Sequence, residues 1–109
     1  MIMENIPVEH RRSALNELYL DAGKVLQYLL GVDDALDTLI TCNPQRLRLT
    51  TTDQEVYHAL GSIRDTDNFR LNRLTKFFES VSIRTVARKQ VLTDALVAKI
   101  RLEALKKSL

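Results

Sequence analysis

Three acidic residues are placed where a carboxylate can do chemistry. Asp21 ends a short stretch that alternates like a strand, Glu55 lies three residues after Thr52, and Asp94 lies near the start of the last periodic stretch. An acid at such a junction accepts hydrogen bonds from the free N–H groups of the following helix, or it serves as a ligand at the end of a buried strand. The residues alone leave both roles open for each acid.

Hydrophobic periodicity shows which elements must position these acids. Alternating apolar residues predict strands at 17–21, 47–50 and 80–86. Apolar residues at helical spacing predict helices at 22–30, 33–40, 51–63, 65–79 and 91–109. The order β-α-α-β-α-α-β-α predicts an α/β fold in which a parallel sheet is flanked by helices. Ligands bind such sheets at the carboxyl ends of the strands, which is where Asp21 lies.

Capping residues mark the ends of the predicted helices. Gly31 is the expected residue after the first helix, where a left-handed conformation favours glycine. Thr52 and Glu55 have the spacing of a capping box, which gives Glu55 a structural role. The other N-caps are predicted to be Asp21, Asp33 or Asp34, and Thr93 or Asp94.

Composition and charge indicate one small domain. The chain has 109 residues, of which 45% are apolar, and this is enough for a single core. The net charge of +2 is too small to indicate a nucleic-acid partner without local clustering. The single cysteine, Cys42, excludes an intramolecular disulfide framework and lacks the neighbours of a zinc site. Since neither a membrane-spanning run nor a secretory signal is recognised, we expect a cytoplasmic protein with no membrane partner.

Three stretches of the chain resemble motifs that occur together in one family. They are "YLDAGKVLQYLLG" at 19–31, "LRLTTTDQEVYHALGSI" at 47–63 and "LTDALVAKIRLEA" at 92–104. In this order they resemble the opening strand, acid and helix, the second strand and helix, and the later acid-bearing helix of PIN domains, most closely archaeal members. The resemblance implies a PIN-like domain at 17–109 that is incomplete at its C-terminus, with 1–16 as an N-terminal extension.

The resemblance also implies an activity. PIN domains are Mg²⁺- or Mn²⁺-dependent nucleases that usually hydrolyse RNA, and many are toxins of toxin–antitoxin pairs. By this resemblance Asp21 and Asp94 match the first and third catalytic, metal-binding acids. His58 occupies the place of the second acid and is a poor ligand for a hard cation, so Glu55, one helical turn earlier, is the expected second ligand. RNA is the implied substrate, and an antitoxin, another protein or a second copy are implied partners.

Several positions depart from the family's pattern. The fourth acid of the family has no counterpart, Lys24 stands where an apolar residue is usual, and Lys99 and Arg101 replace small residues. These differences favour a second hypothesis, in which a catalytically degenerate PIN-fold protein binds RNA or another protein. A third hypothesis is an unrelated small α/β or helical binding module.

Basic residues recur along the second half of the chain. They are Arg64, Arg70, Arg73, Lys76, Arg84 and Arg88. Such a row either binds phosphates or forms the solvated face of an amphipathic helix. Aromatic residues do not alternate with it, so the row itself gives no indication of base stacking.

Overall fold

The structure, a computed structural model, describes residues 16–43 and 46–108. Its strands are β1 (Glu17–Tyr19), β2 (Arg48–Thr52) and β3 (Ser82–Arg84). Its helices are α1 (Ala22–Leu30), α2 (Asp34–Thr41), α3 (Asp53–Gly61), α4 (Leu71–Ser80) and α5 (Val91–Ser108). The predicted order of strands and helices is confirmed, and the fold is α/β. The predicted extension at 1–16 lies outside the described residues, apart from Asn16.

The strands form one parallel sheet in the order β1-β2-β3. In the first pair Glu17 lies opposite Arg48, and in the second pair Thr52 lies opposite Arg84. Sequential parallel strands are joined by right-handed crossovers, and these place both connections on the same side of the sheet. In the strand order of the described residues, β2 is the central strand and β1 forms an edge of the sheet.

Within residues 16–43 and 46–108, helices cover one face of the sheet and leave the other face open. Leu20, Leu49 and Thr51 point into the core and are buried. Residues that alternate with them are polar and exposed or partly exposed: Glu17, Tyr19, Arg48, Thr50, Ser82 and Arg84. We call these six residues the open face.

The helices pack their apolar stripes against the covered face. Val25 and Leu29 of α1, Val56 and Leu60 of α3, and Phe77 of α4 are completely buried. In α1 and in α3 the two buried residues lie one helical turn apart, as an amphipathic helix requires. Burying side chains of this size stabilises the fold by about 1.5–3 kcal/mol each. This core fixes the helix N-termini that follow the strands.

Arg73 joins α4 to the first two helices. Its Nε donates to the carbonyl of Tyr28 at 2.7 Å, and its Nη2 donates to Asp37 at 2.8 Å. The same guanidinium lies 4.5 Å from the centre of the Tyr28 ring. Beside it, Gly31 ends α1 with φ of 71°, as the sequence predicts. Arg73 therefore has a structural role within the predicted basic row.

The segment between α3 and α4 departs from the prediction of a helix at 65–79. The carboxylate of Asp67 accepts a hydrogen bond from the backbone N–H of Arg64 at 2.8 Å, and this closes a turn. Phe69 then enters the core, where it is buried. As a result α4 begins only at Leu71.

The predicted caps are confirmed at three helices and wrong at the last. The side chains of Asp21, Asp33 and Thr52 each accept a hydrogen bond at the N-terminus of α1, α2 and α3. The helix α5 begins at Val91, so Thr93 and Asp94 lie inside its first turn and do not cap it. The third strand is also shorter than the predicted 80–86. Among the described residues, no helix is long and apolar enough to cross a membrane.

Candidate functional site at the carboxyl edge of the sheet

The ends of the three strands bring polar side chains to one edge of the sheet. Tyr19 ends β1, Thr52 ends β2, and Arg84 ends β3. Asp21 lies two residues after Tyr19. Because the strands are parallel, all three carboxyl ends meet at this edge. Such an edge is where open α/β sheets bind ligands.

Asp21 is exposed and caps α1. Its Oδ1 accepts a hydrogen bond from the backbone N–H of Lys24 at 2.9 Å. The backbone of Asp21 is extended, with φ of −82° and ψ of 176°, which is the conformation of an N-cap residue. The chain therefore passes from strand to helix at the acid itself, and the carboxylate remains open to solvent.

Glu55 reaches from α3 to the same helix end. Its backbone N–H donates to Thr52 Oγ1 at 3.2 Å, which confirms one half of the predicted capping box. Its carboxylate turns to β1 and α1 instead, where Oε1 accepts from the N–H of Ala22 at 3.1 Å and Oε2 accepts from the hydroxyl of Tyr19 at 2.7 Å. Two predicted site residues, Asp21 and Glu55, are thus brought together at the N-terminus of α1.

The pKa of the Tyr19 hydroxyl depends on the neighbouring carboxylate of Glu55. The hydrogen bond to Glu55 raises the pKa of Tyr19, because the neutral phenol donates this bond and ionisation would remove the donated proton. Burial raises this pKa further, while Thr52 and the positive charge of Arg84 lower it. The phenol oxygen of Tyr19 therefore responds to the negative Glu55 of α3 and to the positive Arg84 of β3.

Asp53 is an acid of this edge that the sequence analysis did not single out. It is only 6% exposed, and its Oδ1 accepts from the backbone N–H groups of Val86 at 2.9 Å and Ala87 at 3.2 Å. These hydrogen bonds lower the pKa of Asp53, with the bond from Val86 as the largest cause. The only sequence signal for this role is an acid that directly follows a strand. Asp53 fastens the segment after β3 to the start of α3.

The third predicted site acid, Asp94, does not form a group with Asp21 and Glu55. Asp94 lies on an exposed part of the first turn of α5, and its N–H donates to the carbonyl of Gln90 at 3.5 Å. In the described part of the chain, no three or more His, Cys, Asp or Glu side chains form a group that could hold a metal ion. His58 is exposed on α3, with its ring 5.6 Å from that of Tyr57.

The carboxylates of Asp21 and Glu55 are the kind of group that could hold a hard cation. Asp21 and Glu55 offer only oxygen atoms, which Mg²⁺ and Mn²⁺ prefer. Mg²⁺ commonly takes one or two carboxylates and completes its shell with water and substrate phosphates. The oxygens of Glu55 already accept hydrogen bonds, so this carboxylate is held in place.

The open face continues from this edge along the sheet. Its six residues line a shallow concave surface, together with Thr51 and Ile83. Within it, Arg48 forms an exposed ion pair with Glu17, at a nitrogen–oxygen distance of 3.9 Å. The acid pair and the open face are contiguous through Tyr19, which belongs to the open face and bonds to Glu55.

Comparison with known proteins identified no relative: no family model matches the chain, and no curated protein or solved structure is significantly similar to it.

Proposed function

We propose that the protein binds single-stranded RNA across the open face of its sheet. The observation that carries this proposal is a wholly parallel sheet with one polar, exposed face among the described residues. Parallel sheets are ordinarily covered on both faces and have hydrophobic strands. A parallel sheet with a polar open face therefore offers a surface for a hydrophilic partner.

The side chains of the open face suit a nucleic-acid strand. Arg48 and Arg84 come from neighbouring strands, and guanidinium groups bind phosphates in a bidentate manner. The pairing of Arg48 with Glu17 is exposed and weak, so it does not prevent phosphate binding. Tyr19 is 45% exposed and its hydroxyl is held by Glu55, which leaves its ring as a stacking surface for a base.

Metal-dependent hydrolysis of the bound RNA is a second proposal, and the placement of Asp21 and Glu55 supports it. Both carboxylates lie beside the open face, at the N-terminus of α1. When bound, Mg²⁺ or Mn²⁺ supplies a more acidic water and offsets charge on the phosphate. In this proposal the chain is a PIN-like ribonuclease, Asp21 and Glu55 hold the cation, and Arg48 and Arg84 orient the strand.

Fluorescence anisotropy with labelled single-stranded RNA in EDTA tests the binding proposal. Replacing both Arg48 and Arg84 by Ala should weaken binding and lower the slope of log K against log salt by about 0.7 for each lost phosphate contact. The matched control replaces Arg64 and Arg70, which are exposed and lie between α3 and α4. Equal binding by the open-face variant and the wild type would refute the proposal.

Incubation of end-labelled RNA with Mn²⁺ or Mg²⁺ tests the hydrolysis proposal. We expect cleavage that EDTA abolishes and that Asp21→Asn and Glu55→Gln each reduce, whereas Asp94→Asn leaves it unchanged. Asn keeps the capping ability of position 21, so its effect reports on the lost charge. Binding of RNA without cleavage at any metal concentration would reject hydrolysis and leave a binding module.

A further inference from the structure

The last helix, α5, buries two charged side chains among the apolar ones of its inner face and exposes apolar side chains on its outer face. Lys99 and Glu103, one helical turn apart, are 9% and 5% exposed. Val97 and Ile100 are 42% and 50% exposed. Since apolar residues occur all round α5, both faces of this helix are suited to packing.

Two lysines on the inner face of α5 bond to the segment that follows α3. Nζ of Lys99 donates to the carbonyl of Ile63 at 2.8 Å, and Nζ of Lys106 donates to the carbonyl of Asp67. Burial lowers the pKa of Lys99. These bonds fix which side of α5 faces the domain, and hence which side faces outward.

The outer face carries a regular seam. Thr93, Val97, Ile100 and Ala104 are exposed and follow one another at intervals of four, three and four residues. This alternation is the heptad spacing with which two helices pack side by side. We call these four residues the α5 seam.

We propose that two copies of this chain pair through the α5 seam, with the two helices antiparallel. Twofold symmetry then places Val97 of each copy against Ile100 of the other, and Thr93 against Ala104. Small residues at the outer layers allow the helices to approach closely at both ends of the contact.

The charges beside the seam favour a second copy in this orientation. Asp94 and Arg101 are both exposed, and each follows a seam residue by one position. In the antiparallel pair, Asp94 of one copy faces Arg101 of the other, and symmetry makes this ion pair twice. A parallel pair would separate the two residues by about 10 Å along the helix axis. The surface is thus self-complementary in only one of the two orientations.

Sedimentation velocity over a dilution series tests the pairing. We expect a concentration-dependent dimer, since a seam of this length buries a small interface. Ile100→Glu places a charge in the seam of both copies and should weaken the dimer by about 100-fold. Leu105→Glu is the matched control, because Leu105 is 65% exposed on the same helix but lies off the seam. A wild type that stays monomeric at all concentrations, or an equal effect of both variants, would overturn the proposal.

Charge reversal tests the orientation. Asp94→Arg alone and Arg101→Asp alone each create two repulsive pairs and should each weaken the dimer roughly tenfold. The double variant exchanges the charges and should restore wild-type dissociation. All variants change exposed residues, and circular dichroism verifies that they fold. A double variant that dissociates as readily as the single ones would overturn the antiparallel arrangement.

Discussion

Asp21 and Asp53 follow neighbouring strands of one sheet, yet their surroundings are opposite. Asp21 follows the edge strand β1 and is exposed, whereas Asp53 follows the central strand β2 and is 6% exposed. The segment after β3 closes over Asp53 through Val86 and Ala87. Topology, and not the local motif, therefore decides which acid stays accessible to a ligand.

The contrast separates structural from functional roles at this edge. The carboxylate of Asp53 is used by two backbone N–H groups and connects two parts of the chain. Asp21 accepts one backbone hydrogen bond within its own helix turn. Substitutions should therefore affect stability at Asp53, and ligand binding at Asp21.

The largest effect on stability is expected from Asp53→Asn. The amide keeps the size of the side chain but loses its charge and one acceptor oxygen, so the bonds from Val86 and Ala87 weaken in a buried setting. We expect Asp53→Asn to lower Tm more than Asp21→Ala or Glu55→Gln does, measured by thermal unfolding. The matched control, Asp21→Asn, should change Tm little. An equal change in Tm in the two variants would show that the charges of Asp53 and Asp21 contribute equally to stability.

Acidification should reveal how much Asp53 contributes to the stability of the wild-type protein. The folded-state pKa of Asp53 is lowered by its hydrogen bonds, so its contribution is fully present above the unfolded value of about 3.9 and is lost as pH falls through the folded pKa. Asp67, whose pKa is lowered chiefly by the N–H of Arg64, acts in the same direction. Urea midpoints should fall below about pH 4, and Asp53→Asn should reduce this dependence. An unchanged dependence in the variant would contradict this role for Asp53.

The element order and the Asp21 cap could be predicted because both depend on local patterns. Periodicity indicates the helices, and an acid before a helical stripe indicates a cap. The role of Asp53 could not be predicted, since its partners lie more than 30 residues away. The same holds for the bond between Tyr19 and Glu55, which are 36 residues apart. For α5, the apolar pattern indicated the start at Val91, but the capping preferences of Thr93 and Asp94 wrongly indicated an N-cap two to three residues inside the helix.

Removal of the cap at position 21 should have a moderate effect. Asp21→Ala loses the hydrogen bond to Lys24 N–H and should lower the free energy of unfolding by about 1 kcal/mol. Asp21→Asn keeps an acceptor at the cap and should remain close to wild type. Urea unfolding of both variants measures the difference. If Asn were as destabilising as Ala, the negative charge and not the capping bond would stabilise α1.

The smallest expected effect concerns the hydroxyl of Tyr19, and it tests whether Asp21 and Glu55 act separately. Glu55→Gln removes the largest cause that raises the pKa of Tyr19, so this pKa should fall towards the ordinary value. Tyrosinate absorbance during an alkaline titration measures the change, as a difference between variant and wild type. Asp21→Asn should leave the titration unchanged, because the hydroxyl donates to Glu55. An equal shift in both variants would show that the phenol responds to the charge of the whole acid cluster and not to its hydrogen bond with Glu55.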